Sequence, residues 1–251
     1  MRPVRFRVLG PVTVHDGPHR TALCGGKQVA LLAVLLSRAN TVLPRDTLID
    51  ALWAPEPPPS AADMLRWHVH KLRKALGEER LTTAPSGYAL TAAPDEIDAQ
   101  RFETTYAHAR HLLAQGDPVR AGAALQDALS LWYGPAAYGD VDNPLVHTEA
   151  TRLHELRLAA CEQLAHADLA TGQDNSAVAR LRPLVAENPF QERFRAQLML
   201  ALCRSGRRAE ALDVFHDGRR LLDEELGLRP CPELLRLQHS ILIGETEQAA
   251  T

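Results

Sequence analysis

The sequence predicts a mainly α-helical chain of two domains, a small N-terminal one with β elements (1–94) and an all-helical one (95–251). Three observations lead there. Strand-like alternation occurs only before Pro94, and Ser60 to Leu90 reads as an amphipathic helix followed by a hairpin. Beyond Asp98, a Gly/Ala pattern recurs at the spacing of helix hairpins.

Val4, Phe6 and Val8 alternate with Arg5 and Arg7, as in a half-buried strand, and Gly10-Pro11 turns into a second, Val12-Thr13-Val14. From Lys27 to Arg38, Leu31, Val34 and Leu35 share a helical face, with Leu32 and Leu36 beside it. A shorter helix, from about Arg45 to Trp53, carries Leu48, Ile49 and Leu52. Pro55-Glu56-Pro57-Pro58-Pro59 must end it, because proline cannot continue the helical ladder.

Ser60 and Asp63 fit a capping box for a third helix. Leu65, Val69, Leu72 and Leu76 then form one buried stripe, and Arg66, His70, Arg73 and Lys74 lie a third of a turn away, flanked by Asp63 and Trp67. After Gly77, Arg80-Leu81-Thr82-Thr83 favours a strand, Ala84-Pro85-Ser86-Gly87 a turn, and Tyr88-Ala89-Leu90 a returning strand. Strand, three helices and hairpin in this order make a winged helix-turn-helix.

In the second half, Gly116, Gly172 and Gly206 are each followed five residues on by Ala121, Ala177 and Ala211, and nine on by Leu125, Leu181 and Phe215. Leu113, Leu169 and Cys203 stand three residues before them. Gly172 and Gly206 are 34 apart, the period of tetratricopeptide-like hairpins, in which Gly ends one helix and the small Ala lets the next cross closely. Trp132 to Pro144 interrupts the periodicity and is expected to be an irregular surface loop; Leu153, Leu156 and Leu164 read as core.

With 45% hydrophobic and 24% charged residues, the chain has the composition of a soluble globular protein. No apolar run reaches membrane-spanning length and no secretory signal opens the chain, so no membrane association and a cytoplasmic location are expected. The net charge of -3 hides an asymmetry: residues 1–94 hold 12 Lys/Arg against 7 Asp/Glu, residues 95–251 hold 16 against 24. This balance allows phosphate contact without demanding it, and DNA binding, if present, belongs to the first domain, since an acidic second domain would be repelled by nucleic acid. Cys24, Cys161, Cys203 and Cys231 read as reduced core residues. No zinc-ligand spacing, nucleophile elbow or catalytic triad is discernible, so neither metal, cofactor nor enzymatic activity is expected.

The basic face Arg66, His70, Arg73 and Lys74 suits the major groove of duplex DNA, although a solvated charged face would show the same pattern. Trp67 either stacks in the groove or packs at the core edge. Asp63 is assigned to the cap. The hairpin tip is poor in charge, so minor-groove contact would rest on backbone and Arg80. Lys27 follows Gly25-Gly26 without a phosphate-loop motif; it either touches a DNA phosphate or belongs to a structural turn, and Arg45 is a similar candidate.

Leu9-Gly10-Pro11, Leu48 to Trp53, His68 to Gly77 and Ser86 to Leu90, with Asp98 to Phe102 and Leu221 to Leu234, resemble the antibiotic regulatory protein family of actinobacteria. The likeness runs over about residues 3–243. It implies an OmpR-type winged helix bound to direct repeats in promoter DNA, followed by a bacterial transcriptional activation domain. It further implies homodimers or side-by-side protomers on DNA, recruitment of RNA polymerase holoenzyme, and control of secondary-metabolite gene clusters. Carried onto this chain, it assigns Arg66, His70, Arg73 and Lys74 to the helix and Gly87 and Tyr88 to the wing, with Pro55, Glu56, Pro57, Pro58 and Pro59 as a stiff, extended polymerase-contact loop. Val29 and Pro44 depart from the family, which often places an arginine and a capping serine there. Larger relatives add an ATPase domain, and none is expected within these 251 residues. Two other readings stay open from the residues alone: a repressor, and an interaction module whose winged domain binds protein.

Overall fold

The computed structural model describes residues 4–23 and 25–244. Cys24 and the opening Met1-Arg2-Pro3 lie outside them. By internal contacts the chain divides into Met1–Ala107 with Asp127–Leu158, and His108–Gln126 with Ala159–Thr251.

In the first unit, β1 (Val4–Arg7), β2 (Thr13–Asp16) and β3 (His19–Arg20) form an antiparallel sheet, with Phe6 opposite Val14. Phe6 and Val14 are buried while Arg5 faces out, which is the alternation a half-covered sheet requires. α1 (Gly26–Ser37) buries every side chain from Leu31 to Leu36, and α2 (Arg45–Trp53) and α3 (Ala61–Leu76) pack on it and on each other. A second sheet has β6 (Gly87–Leu90) in the middle, between β4 (Leu43–Pro44) and β5 (Leu81–Thr83). The two-residue strands β3 and β4 are too short to leave a periodic signal in sequence.

Three expectations are corrected in this unit. Ser60 precedes α3, but its side chain caps no amide: its Oγ lies 3.6 Å from Met64 Sδ, and Asp63 pairs with Arg66, so no capping box forms. Trp132 to Asn143 is irregular as expected and exposed at Pro135, Ala136, Asp140 and Asp142, but it is anchored rather than lying wholly at the surface. Tyr133 N–H donates to Leu9 O at 3.1 Å and Tyr138 N–H to Val8 O at 2.6 Å. Trp132, Tyr138 and Asn143 are buried, because this segment satisfies the carbonyls at the open end of β1. The proline loop after α2 is exposed but turns at 54–55 and again at 59–60, so only Glu56–Pro58 is free of a turn.

Downstream run α4 (Asp98–Ala114), α5 (Pro118–Ser130), α6 (Pro144–Ala170), α7 (Asp174–Glu187), α8 (Glu192–Arg204), α9 (Arg208–Leu226) and α10 (Pro232–Ile243). Gly116, Gly172 and Gly206 sit at φ of 75°, 71° and 76°, the left-handed region open to glycine. Each amide donates to the carbonyl three residues back, on Leu113, Leu169 and Cys203. The next amide reaches five back, as Asp117 to Leu112, Gln173 to Asp168 and Arg207 to Leu202. This is one helix-ending motif used three times. Ala121, Ala177 and Ala211 are fully buried where the next helix crosses. Cys161, Cys203 and Cys231 are half-buried rather than core.

Candidate nucleic-acid interface

The two faces of α3 differ in kind. Leu65, Val69, Leu72 and Leu76 are at most 5% exposed. Each such leucine or valine contributes roughly 1.5–3 kcal/mol by leaving water, so this stripe holds the helix in place. The opposite face exposes Arg66, Trp67, His70 and Lys74. Among the residues expected at DNA, these four are brought together.

Arg66 pairs with Asp63 one turn earlier, both side chains standing in solvent. An exposed pair of this kind is worth little, so a base edge or phosphate can displace the carboxylate at small cost. Trp67 is 52% exposed, so about half of its surface is open to solvent. Its ring meets His68 edge-on at 5.0 Å, and Lys71 Nζ stands 5.3 Å from its centroid, so it is steadied on two sides. His68 points inward, 6.2 Å from the Trp53 ring; burial, and then the charge of Lys27, lower its pKa and keep it neutral.

The other expected contacts are structural. Arg73 donates through Nε to Leu81 O at 2.8 Å and through Nη2 to Thr83 Oγ1 at 2.5 Å, which joins α3 to the hairpin. Arg80 is 1% exposed and forms a two-pronged pair with Glu96, one prong at 2.6 Å. Glu96 also accepts from Ala93 N–H at 2.8 Å, and these bonds hold its carboxyl below the usual range. Arg80 therefore cannot reach a minor groove. A short 3-10 turn, Glu78–Arg80, directs it inward.

Gly87 and Tyr88 are buried as well, because β6 is covered on both sides. A Cβ at Gly87 would lie 1.8 Å from Leu43 O, so the close approach of β4 demands glycine. Tyr88 is 5% exposed and serves the core. Lys27 is exposed, and its ammonium donates to Leu52 O at the C-terminal end of α2, near the Trp53 ring. Arg45 stays exposed at the start of α2, its guanidinium 5.9 Å from the Tyr88 ring.

Three further exposed groups stand on this side, with no signal in the sequence that marks them for a ligand. Met64 stands one turn before Trp67 on α3, and Thr82 and Thr83 offer the wing hydroxyls where it has no charge. The proline loop is exposed at Pro55, Glu56, Pro57 and Pro59 and half-buried at Pro58. Asn143 Nδ2 donates to Ala51 O at 2.6 Å just before it. Among the described residues no group of three His, Cys, Asp or Glu could hold a metal, and no helix is long and apolar enough to cross a membrane.

Residues 20–90 match the family model described as transcriptional regulatory protein, C terminal, and residues 97–242 that of the bacterial transcriptional activator domain. The chain is 40% identical to the regulatory protein AfsR of Streptomyces griseus over 98% of its own length and 25% of that protein's. It thus spans about a quarter of the AfsR proteins it matches. It is 32% identical to the regulatory protein DnrI of Streptomyces peucetius over 95% of the chain and 92% of that protein. In structure it is similar to Mycobacterium tuberculosis EmbR, solved in complex with a low-affinity phosphopeptide: TM-score 0.93, 31% identity, all of this chain and 68% of that one.

Proposed function

This chain belongs to the antibiotic regulatory protein family of bacterial transcriptional regulators, and from that membership we propose that it is a sequence-specific, DNA-binding transcriptional activator. The observation that carries the reading is the exposed face of α3, where Arg66, Trp67, His70 and Lys74 stand over a fully buried stripe. An α-helix fits the major groove, where arginine pairs with guanine edges and lysine with phosphates. Arg45 at the start of α2 suits a phosphate of the same site, and Thr82 and Thr83 suit the adjacent backbone.

Labour divides between residues 1–94, which grip DNA, and residues 95–251, which join protomers or partners at the promoter. The operators are direct repeats bound by side-by-side protomers, and the genes belong to a secondary-metabolite cluster. The exposed Pro55–Pro59 loop is the surface offered to RNA polymerase holoenzyme; its prolines limit the entropy lost on docking. DNase footprinting across the promoters beside the chain's own gene tests this reading. Protected direct repeats upstream of the polymerase site are expected. A folded protein that protects no repeat there removes the proposal, and protection overlapping the polymerase site makes the protein a repressor.

A further inference from the structure

The last two helices carry an exposed groove that DNA reading does not use. His216, Arg219, Arg220 and Asp223 stand at i, i+3, i+4 and i+7 and share one face of α9. With Leu228, Arg229 and Pro230 of the following turn and Leu235 of α10, they line a cavity of about 780 Å³. Leu228 is 55% exposed and Leu235 42%, so the groove leaves two leucines open to water. Arg220 pairs with Asp217 at 2.9 Å, whereas Arg219 and Arg229 make no ion pair among the described residues. Three arginines against Asp223 form a basic island in the part of the chain where Asp and Glu outnumber Lys and Arg by 24 to 16.

We propose that this groove docks an acidic amphipathic helix of a partner protein, its apolar side chains on Leu228 and Leu235 and its carboxylates on Arg219 and Arg229. Dimensions agree. From His216 to Asp223 the face spans about 10 Å, the length of a two-turn helix. Charge complementarity selects the partner. A helix that covers the leucines also excludes water from the arginines beside them, which strengthens each ion pair over its worth in open solvent. Duplex DNA fits less well, because its phosphates leave the leucines uncovered and Asp223 repels them. A small free anion would bind arginines that stay hydrated on an open surface.

The test uses the full chain and a labelled synthetic helix with leucines at i, i+3, i+4 and i+7 flanked by glutamates, followed by fluorescence anisotropy. A second peptide replaces the glutamates with lysines. The glutamate peptide is expected to bind and the lysine peptide not. Arg219→Glu with Arg229→Glu should weaken the glutamate peptide at least about tenfold, or about 1.4 kcal/mol, and favour the lysine one. Leu228→Ser should weaken the glutamate peptide without altering circular dichroism. Failure of the glutamate peptide to bind, equal binding of both peptides, or indifference to the charge reversal overturns the proposal. So does a concentration-dependent dimer abolished by Leu228→Asp, which assigns the groove to a second copy. A fall in operator affinity of the charge-reversed variant assigns the arginines to DNA, with the same consequence.

Discussion

Arg73 and Thr83 join α3 to the β5–β6 hairpin: a guanidinium from α3 donates to a wing hydroxyl at 2.5 Å, while its Nε holds Leu81 O at 2.8 Å. An arginine expected to touch DNA thereby sets the angle between the two elements that would touch it. Arg73→Ala should lower stability by about 1–2 kcal/mol, the worth of the bonds removed. Operator affinity should fall as well, with an unchanged salt dependence, because no phosphate contact is lost. Arg73→Lys should not restore it, since an ammonium cannot serve both acceptors in that geometry. Thermal melting and anisotropy titrations over a salt series check this; a shallower salt slope would return Arg73 to the phosphates.

Lys74 and Arg66 should fail differently. Lys74→Ala is expected to weaken all duplexes alike and to reduce the salt slope by about 1. Arg66→Ala should cost about 1–3 kcal/mol on the operator and little on unrelated DNA. Competition titrations with operator and random duplex separate the two; equal loss from both variants would mean that neither reads bases.

The buried pair Arg80–Glu96 should dominate the stability of the wing. Glu96→Ala removes the carboxylate that pairs with a guanidinium 1% exposed and is expected to cost about 3–5 kcal/mol. Glu96 has a lowered folded pKa, so its contribution is present above the ordinary glutamate value and lost as pH falls through the lowered one. Urea unfolding of the two proteins from neutral to acid pH should show their difference shrinking only at the acid end.

Asp98 behaves in the opposite sense. Its carboxylate accepts Val8 N–H at 2.8 Å and Leu9 N–H at 3.3 Å, yet burial raises its pKa from 3.8 to about 6. Its stability contribution is full below 3.8 and declines as pH rises to about 6, beyond which it is level. Asp98→Asn should remove that decline; a parent protein whose stability rises over this interval after correction for other groups contradicts it.

Two glycine substitutions should differ by severalfold. Gly206→Ala meets no atom within 4 Å and is strained only by its φ of 76°, a cost of about 1–2 kcal/mol. Gly87→Ala drives a methyl into Leu43 O and should part β4 from β6. Amide exchange at the β4–β6 pairing, read beside thermal melting, distinguishes local opening from global loss.

Much of this protein is written in consecutive residues. The buried stripe and exposed basic face of α3 follow from a period of 3.6, and the three hairpin turns follow from glycine's access to positive φ. Both are local properties, so α3, its outward arginine, histidine and lysine, and the repeated helix ends were legible in the sequence.

Partners distant in the chain were not legible. Nothing around Arg80 announces Glu96, nothing in Ser86 to Leu90 reveals that β4 will close over Gly87, and Trp132 to Asn143 looks like loop until β1 supplies its acceptors. By itself the sequence determined α3 and the face it turns outward. Only the tertiary structure decided which charges stay free for a ligand and which brace the fold, because burial and pairing depend on what packs across from each residue rather than on what stands beside it.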